Sequence, residues 1–439
     1  MKQLIYLGTL LLTCQNIWAF DLQQAWDAAL EHDAQHTANA YSRLAAQEQT
    51  TQARAYLLPY ASLNGNYQRT KPLEPNADAY NQYGYTVQAT QTLFDAGKLA
   101  DYRQSKVAVK LSDVEFDLSE QQLLLNVSQA YFDVLTAHDL IDSAQASTLL
   151  YQKQLEQAKT MFDVGAATIV DTHEAQSGLD QAQVQLLQAM QQLALAEEKL
   201  QHLTGLNPKD IQTFEAHKVT QIVPNQTLIH WQEQALLNNP SIAAKTLAVE
   251  QAQIAIDKAY AQMYPKIELQ AAYQDQHQQA SAATLGQATH NRGASVGVQL
   301  SLPLYAGGGI SSYRRQVEYE LLQRKEELTA AKRDIDLQVK ERFLNVQSGL
   351  AQVKALEQLV LSNRKKLESS QLGQQVGVRS NLDVVMAQQA YADSQQQLAA
   401  ARYQYLQAQL ALAQSAGQLQ NGTTLANINQ AIAKQTRRK

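Results

Sequence analysis

Most of this chain is written twice. Leu58-Pro59, followed by Ala61-Ser62-Leu63-Asn64-Gly65-Asn66-Tyr67-Gln68, returns as Tyr264-Pro265 followed by Ile267-Glu268-Leu269-Gln270-Ala271-Ala272-Tyr273-Gln274. Further along, Val164-Gly165 with Asp171 six residues on returns as Val376-Gly377 with Asp383 six residues on. Each copy reads helix, short strand, loop, short strand, very long helix, break, long helix. Whatever sheet or bundle the chain builds must therefore be built from two equivalent halves.

The segment before the repeat sets the compartment. Met1-Lys2-Gln3, an apolar run from Leu4 to Leu12 and a small residue at Ala19 read as a secretory signal over residues 1–19. Cys14 is the only cysteine and lies inside that signal, so the mature chain has no thiol and no disulfide. Leu11-Leu12-Thr13-Cys14 has the outline of a lipidation site, with Thr13 a poor residue before the cut. Beyond residue 19 no stretch approaches the ~18 to 20 apolar residues of a membrane helix, and the mean hydropathy is −0.37. Any membrane insertion must then use strands. A net charge of −5 without a basic stripe argues against a nucleic-acid partner.

From Ala96 to Phe162 there is no proline, and glycine occurs only at Gly97; from Ile310 to Leu372 glycine occurs only at Gly349. Helices of that length run to roughly 90 to 100 Å and need a coiled partner along their course. Leu179, Ala182, Leu186, Ala189, Leu193, Ala196, Leu200 and Leu203 step alternately by three and four, a heptad seam with large and small residues alternating. The second copy keeps the seam at Tyr391, Ser394, Leu398, Ala401, Tyr405, Ala408, Leu412 and Ser415. An isolated antiparallel coiled coil would show the same seam. Between the long helices, Gly165 and Gly377 end one helix and Thr168 or Ser380 caps the next.

The strand pairs alternate apolar and polar residues with period two. Ala61, Leu63, Gly65 and Tyr67 oppose Ser62, Asn64, Asn66 and Gln68, while Ile267, Leu269, Ala271 and Tyr273 oppose Lys266, Glu268, Gln270 and Gln274. Tyr83-Tyr85-Val87-Ala89 and Val296-Val298-Leu300-Leu302 supply the second strands. The stretches from Lys71 to Gln82 and from His277 to Arg292 read as exposed polar loops. A soluble sheet also alternates, but each strand has about the ten residues that cross an outer membrane when tilted. Four strands cannot close a barrel, and an open edge in lipid leaves backbone groups unpaired. Several chains must share one barrel, and three would give twelve strands.

These features together resemble the TolC family of outer-membrane factors. The resemblance is carried by the duplicated strand pairs after Pro59 and Pro265, by Thr92-Leu93-Phe94-Asp95-Ala96-Gly97 and Leu302-Pro303-Leu304-Tyr305-Ala306-Gly307-Gly308, and by Gln129-Ala130-Tyr131-Phe132-Asp133-Val134-Leu135. Ala401-Arg402-Tyr403-Gln404-Tyr405-Leu406 and the two Val-Gly breaks complete it. It implies a mainly α, mixed fold in which two tandem repeats form a trimeric 12-strand outer-membrane β-barrel continuous with a long periplasmic α-helical barrel. The function implied is the exit duct of a tripartite efflux pump or type I secretion system. Its partners would be a homotrimer's other copies, outer-membrane lipid, a periplasmic adaptor and an inner-membrane transporter. It implies no cofactor and no enzymatic activity.

Residue by residue, the resemblance places Val164, Gly165, Ala166, Val376, Gly377 and Val378 at tips where adaptor hairpins meet the duct. Asp171 and Arg379 take the positions of a charge link that holds the periplasmic gate closed, and Gln154 matches another member of that network. Gln371 and Gln374 stand where the family often has a glutamate and a tyrosine, which leaves weaker neutral contacts. Asp383 matches the first of two aspartates at the entrance, and Met386 replaces the second. Threefold symmetry would gather three Asp383 carboxylates, raise their pKa values and attract cations; a lone helical Asp is otherwise a solvated residue or a cap.

The expected layout is a signal over residues 1–19 and a first repeat over 20–218, with strands about 60–70 and 83–94 and helices about 96–163 and 168–204. The second repeat covers 219–420, with strands about 265–276 and 294–305 and helices about 310–374 and 380–416. A tail over 421–439 follows; with the segment from Gly205 to Thr227 it would form an equatorial belt. No phosphate loop follows from Gly97-Lys98, no Gly-x-Ser-x-Gly occurs, and the nine histidines show no metal-ligand spacing along the chain. A periplasmic coiled-coil adaptor or structural envelope protein is the alternative, but an adaptor carries one hairpin rather than two equal repeats with their own strand pairs.

Overall fold

The structure, a computed structural model, describes residues 20–73, 78–212, 226–280, 287–419 and 423–432. The signal and lipidation readings, and most of the segment from Gly205 to Thr227, lie outside them. In chain order the elements are α1 (Leu22–His32), α2 (Ala34–Ala55), β1 (Tyr60–Thr70), β2 (Tyr80–Phe94), α3 (Ala96–Asp163) and α4 (Ile169–Thr204). The second half gives α5 (Leu228–Asn238), α6 (Pro240–Ala261), β3 (Lys266–Gln278), β4 (Thr289–Ser301), α7 (Gly309–Gln375), α8 (Asn381–Ser415) and the tail helix α9 (Thr423–Ile432).

The opening helix expected of each copy is in fact two. Asp33 ends α1 and Asn239 ends α5, both with extended backbone near φ −68° and −69°. Each is a short polar residue that competes for backbone groups and favours helix ends over interiors, and Pro240 then fits the first turn of α6, where its missing N–H is no loss. Residues 80–82, 277–278 and 289–292, expected in loops, belong to β2, β3 and β4, whereas Leu302 falls outside β4 because Pro303 cannot donate to a ladder.

One compact unit takes Ala38–Ser119 and Pro240–Asp334. It holds a single four-stranded antiparallel sheet in the order β1-β2-β3-β4, so β2 and β3 join the two repeats and β1 and β4 are edges. Leu63 faces Val87, which faces Tyr273, and Ala271 faces Val296, which sets the alternating apolar residues on one face. That face is uncovered: Leu63 is 69% exposed and Val296 76%. On the polar face Gln270 donates to Gln299 at 2.7 Å. Asp95 caps α3 directly after β2, its carboxylate accepting from the backbone of Gly97 at 2.8 Å. Ala100, Val107 and Ile254 pack as the core beneath, with Leu247 against them.

The other unit takes Met1–Thr37, Glu120–Asn239 and Ile335–Lys439. Here both heptad seams are turned inward. Leu179, Ala182, Ala189, Ala196 and Leu200 are buried on α4, as are Ser394, Leu398, Ala401, Tyr405, Leu412 and Ser415 on α8, and none of the remaining seam residues is exposed. Away from the seam, α4 leaves Val184, Leu187, Met190 and Leu195 exposed. The two aromatic motifs meet in this core: Phe132 of α3 stacks on Tyr403 of α8 with ring centroids 6.0 Å apart, and Tyr131 donates to the Gln212 carbonyl at 3.0 Å. The tail helix α9 reaches back to the chain start, where Asn429 donates to Asp21 at 2.9 Å. Among the described residues no helix is long and apolar enough to cross a membrane.

Candidate functional site

The two helical breaks are built to one plan. At the end of α3, the Gly165 N–H reaches the Phe162 carbonyl at 2.9 Å and the Ala166 N–H reaches that of Met161 at 2.8 Å. At the end of α7, Gly377 reaches Gln374 at 3.0 Å and Val378 reaches Gly373 at 2.9 Å. This paired closure requires a left-handed residue, and the glycines have φ of 76° and 79°. A Cβ on either would meet nothing within 4 Å, so the backbone angle alone calls for glycine. The same closure leaves Val164, Val376 and Val378 74%, 66% and 76% exposed, with Ile169 and Val170 exposed beside them. Ala166 is exposed as well.

Each following helix starts with a capping box. Thr168 donates from its backbone (2.8 Å) and hydroxyl (2.7 Å) to one carboxylate oxygen of Asp171, whose own N–H donates back at 3.3 Å. Ser380 and Asp383 repeat this at 3.0, 2.9 and 3.2 Å. Hydrogen bonds from the Thr168 side chain, then its backbone, hold the Asp171 carboxyl below its usual range. For Asp383 the backbone and then the side chain of Ser380 do the same, helped by the charges of Arg379 and Lys366. Within the chain, the bonds of a helix cap stabilise the charged form of Asp383; the rise expected from three converging copies belongs to the assembly.

Of the residues singled out at the gate, Gln154, Asp171 and Gln374 line one cavity of about 230 Å³, together with Met161, Ala166 and Ala167. Gln371 is half-buried on α7 and is not part of that lining. Arg379 forms its ion pair with Asp383 at 3.6 Å, one turn along the same helix start. Met386 is 59% exposed. Below the tips Tyr151, Leu155, Ala158, Ala175, Leu179 and Ala182 form a packed cluster with Val385 against it, and Leu367, Val384 and Ala387 form its counterpart.

One residue of consequence was not singled out from the sequence. Asp139 is exposed on α3 and accepts from the Tyr403 hydroxyl at 2.8 Å; partial desolvation of the carboxyl raises its pKa, and the Tyr403 bond opposes the rise. Burial of Tyr403, with the Asp139 charge, pushes its hydroxyl up. Only the aromatic motifs signalled this contact, and they do not reveal which acid the tyrosine meets.

Paired long helices ending in two apolar glycine tips, joined to membrane-length strands with an uncovered apolar face, define an outer-membrane channel protein. Residues 25–206 and 231–418 match the family model described as outer membrane efflux protein. The chain is 28% identical to the outer membrane protein TolC of Vibrio cholerae serotype O1, across 94% of this chain and 93% of that one. It is 30% identical to the alkaline protease secretion protein AprF of Pseudomonas aeruginosa, across 91% and 85%. The crystal structure of the outer membrane protein VceC from Vibrio cholerae shares the fold with a TM-score of 0.73 at 17% identity, covering 90% of this chain and 96% of that one. The chain belongs to the outer membrane efflux protein family and is an exit duct of the outer membrane.

Proposed function

We propose that three copies of this chain assemble into one duct, with twelve strands closing a barrel in the outer membrane and the long helices forming a second barrel in the periplasm. The observation that carries this reading is the sheet. It has two unpaired edges, β1 and β4, and an exposed apolar face. Unpaired edges in lipid leave backbone groups without partners, and four strands are too few to close. Copies placed side by side pair each β4 with a neighbouring β1 and remove every edge. The apolar residues left on α4 supply a surface for the neighbouring helices.

In this assembly the repeats over residues 20–218 and 219–420 alternate around the duct, and the α3–α4 and α7–α8 tips line its periplasmic mouth. The exposed valines at the tips dock a periplasmic adaptor that joins the duct to an inner-membrane transporter, with the tips opening on docking. Asp171, Arg379, Gln154, Gln371 and Gln374 form the gate, and Asp383 gives one acidic ring at the entrance. The duct passes substrates without chemical change. The family described by efflux and the relative named for protease secretion suit a scaffold that serves protein secretion or small-molecule export. Reconstitution in planar bilayers tests the reading: long-lived, cation-preferring channels are expected, and a protein that never raises bilayer conductance would overturn it.

A further inference from the structure

The loop end of the β3–β4 hairpin carries a cluster that channel function does not use. In register, His277 lies opposite His290, and Asp275 lies opposite Arg292. All four share the face that holds Leu63, Val87 and Tyr273, because Tyr273, Asp275 and His277 are spaced by two along β3. Asp275 is 6% exposed, the most enclosed carboxylate on a strand of this sheet. One of its oxygens, Oδ1, faces both ring nitrogens, at 3.1 Å from His277 Nε2 and 2.8 Å from His290 Nε2. The two rings stack with centroids 3.8 Å apart, and Tyr83 stacks on His277 at 5.1 Å.

We infer that Asp275, His277 and His290 form a binding site for a borderline divalent transition ion such as Zn²⁺, Ni²⁺ or Cu²⁺. Their donor atoms all lie within 4.8 Å of one another. Ligands about 2.1 Å from a tetrahedral ion stand roughly 3.4 Å apart, so the distances from Oδ1 to the two nitrogens are already close to that spacing. Two imidazoles favour zinc, nickel or copper over magnesium or calcium, which take oxygen ligands.

The second carboxylate oxygen is separately held. Oδ2 accepts from Arg292 Nε at 3.2 Å, which orients the carboxylate and leaves Oδ1 to the ion, as an outer partner does around a ligating group. Stacking against Tyr83 fixes the His277 ring in the same way. One hairpin supplies every ligand, so the site does not depend on how copies assemble. Sequence spacing hid it: Asp275 and His277 are separated by one residue, but His290 reaches them only through strand pairing.

The test uses the full chain, purified in detergent without a histidine tag. Elemental analysis after dialysis against equimolar Zn²⁺ should find one ion per chain, and Cu²⁺ should give a paramagnetic resonance spectrum split by two equatorial nitrogens. His290→Gln should reduce the pattern to one nitrogen. His277→Gln with His290→Gln should weaken Zn²⁺ binding at least about 100-fold, and Arg292→Gln, which keeps all three ligands, about 10-fold. Absence of stoichiometric metal on the wild type would overturn the inference, as would a copper spectrum indifferent to His290→Gln, a readout that stands even if the double variant fails to fold.

Discussion

Ser380 and Asp383 close the start of α8 on each other: the serine's backbone and hydroxyl both donate to one aspartate oxygen, and the aspartate N–H donates to the serine hydroxyl. Thr168 and Asp171 do the same for α4. Replacing the cap hydroxyl by Thr168→Ala or Ser380→Ala should destabilise the first turn by about 1 kcal/mol. Amide hydrogen exchange should then accelerate several-fold in the first turns of α4 and α8 and stay unchanged along their seams. Equal exchange in variant and wild type would contradict the capping role.

Acid should loosen the same turns. Both carboxyls titrate below their ordinary value in the folded chain, so their contribution is fully present above the unfolded value, near 3.9. It is lost as pH falls through the lower folded value. Protection of the tips measured from pH 6 to pH 2 should hold until below about 4 and then drop. The drop should vanish when Asp171→Asn and Asp383→Asn are combined.

The tip glycines make a graded prediction. Because a Cβ at Gly377 meets no atom, the only penalty is the left-handed backbone, about 1–2 kcal/mol for most residues. Asparagine tolerates that region better than a β-branched residue. Limited proteolysis at the α7–α8 tip should therefore rank wild type, then Gly377→Asn, then Gly377→Val in increasing sensitivity.

Tyr403→Phe removes the hydroxyl of a buried tyrosine that donates to the exposed Asp139. Water can take over the bond at the exposed Asp139, so the net loss is about 0.5–1.5 kcal/mol and thermal unfolding of the variant should move down only slightly. Asp139→Leu in the Tyr403→Phe background should add little further loss, since the bond between the two is already gone.

The fold was readable where repetition and periodicity speak directly. Pro59 and Pro265 located the strand pairs, the spacing from Leu179 to Leu203 gave the seam, and Gly165 and Gly377 marked the turns. What escaped depended on partners distant in the chain. The splits at Asp33 and Asn239 look like ordinary polar positions within helical sequence. Asp383 was legible as a charge near the break, whereas its local bonds to Ser380 were not. Residues 277 to 292 read as loop because histidine, asparagine and arginine suit loops, although strand pairing puts 277–278 in β3 and 289–292 in β4.

Gate opening should follow from breaking the charge at the tip. Arg379→Ser removes the charge proposed to link Arg379 with Asp171 of a neighbouring helix, along with its local pair to Asp383, and is expected to raise single-channel conductance in planar bilayers. Asp383→Asn should remove most of the block by a trivalent cation added at the helical mouth, and Met386→Asp should strengthen it. Block that survives Asp383→Asn intact would assign the entrance charge to another acid, with Glu174 the first to examine.

The shared barrel is the central claim, and a mass measurement tests it most directly. Native mass spectrometry of the detergent-extracted protein should give particles of three chains that keep their β-sheet signature by circular dichroism. A stable single chain with its sheet intact would show that β1 and β4 need no neighbour, and would contradict the assembly.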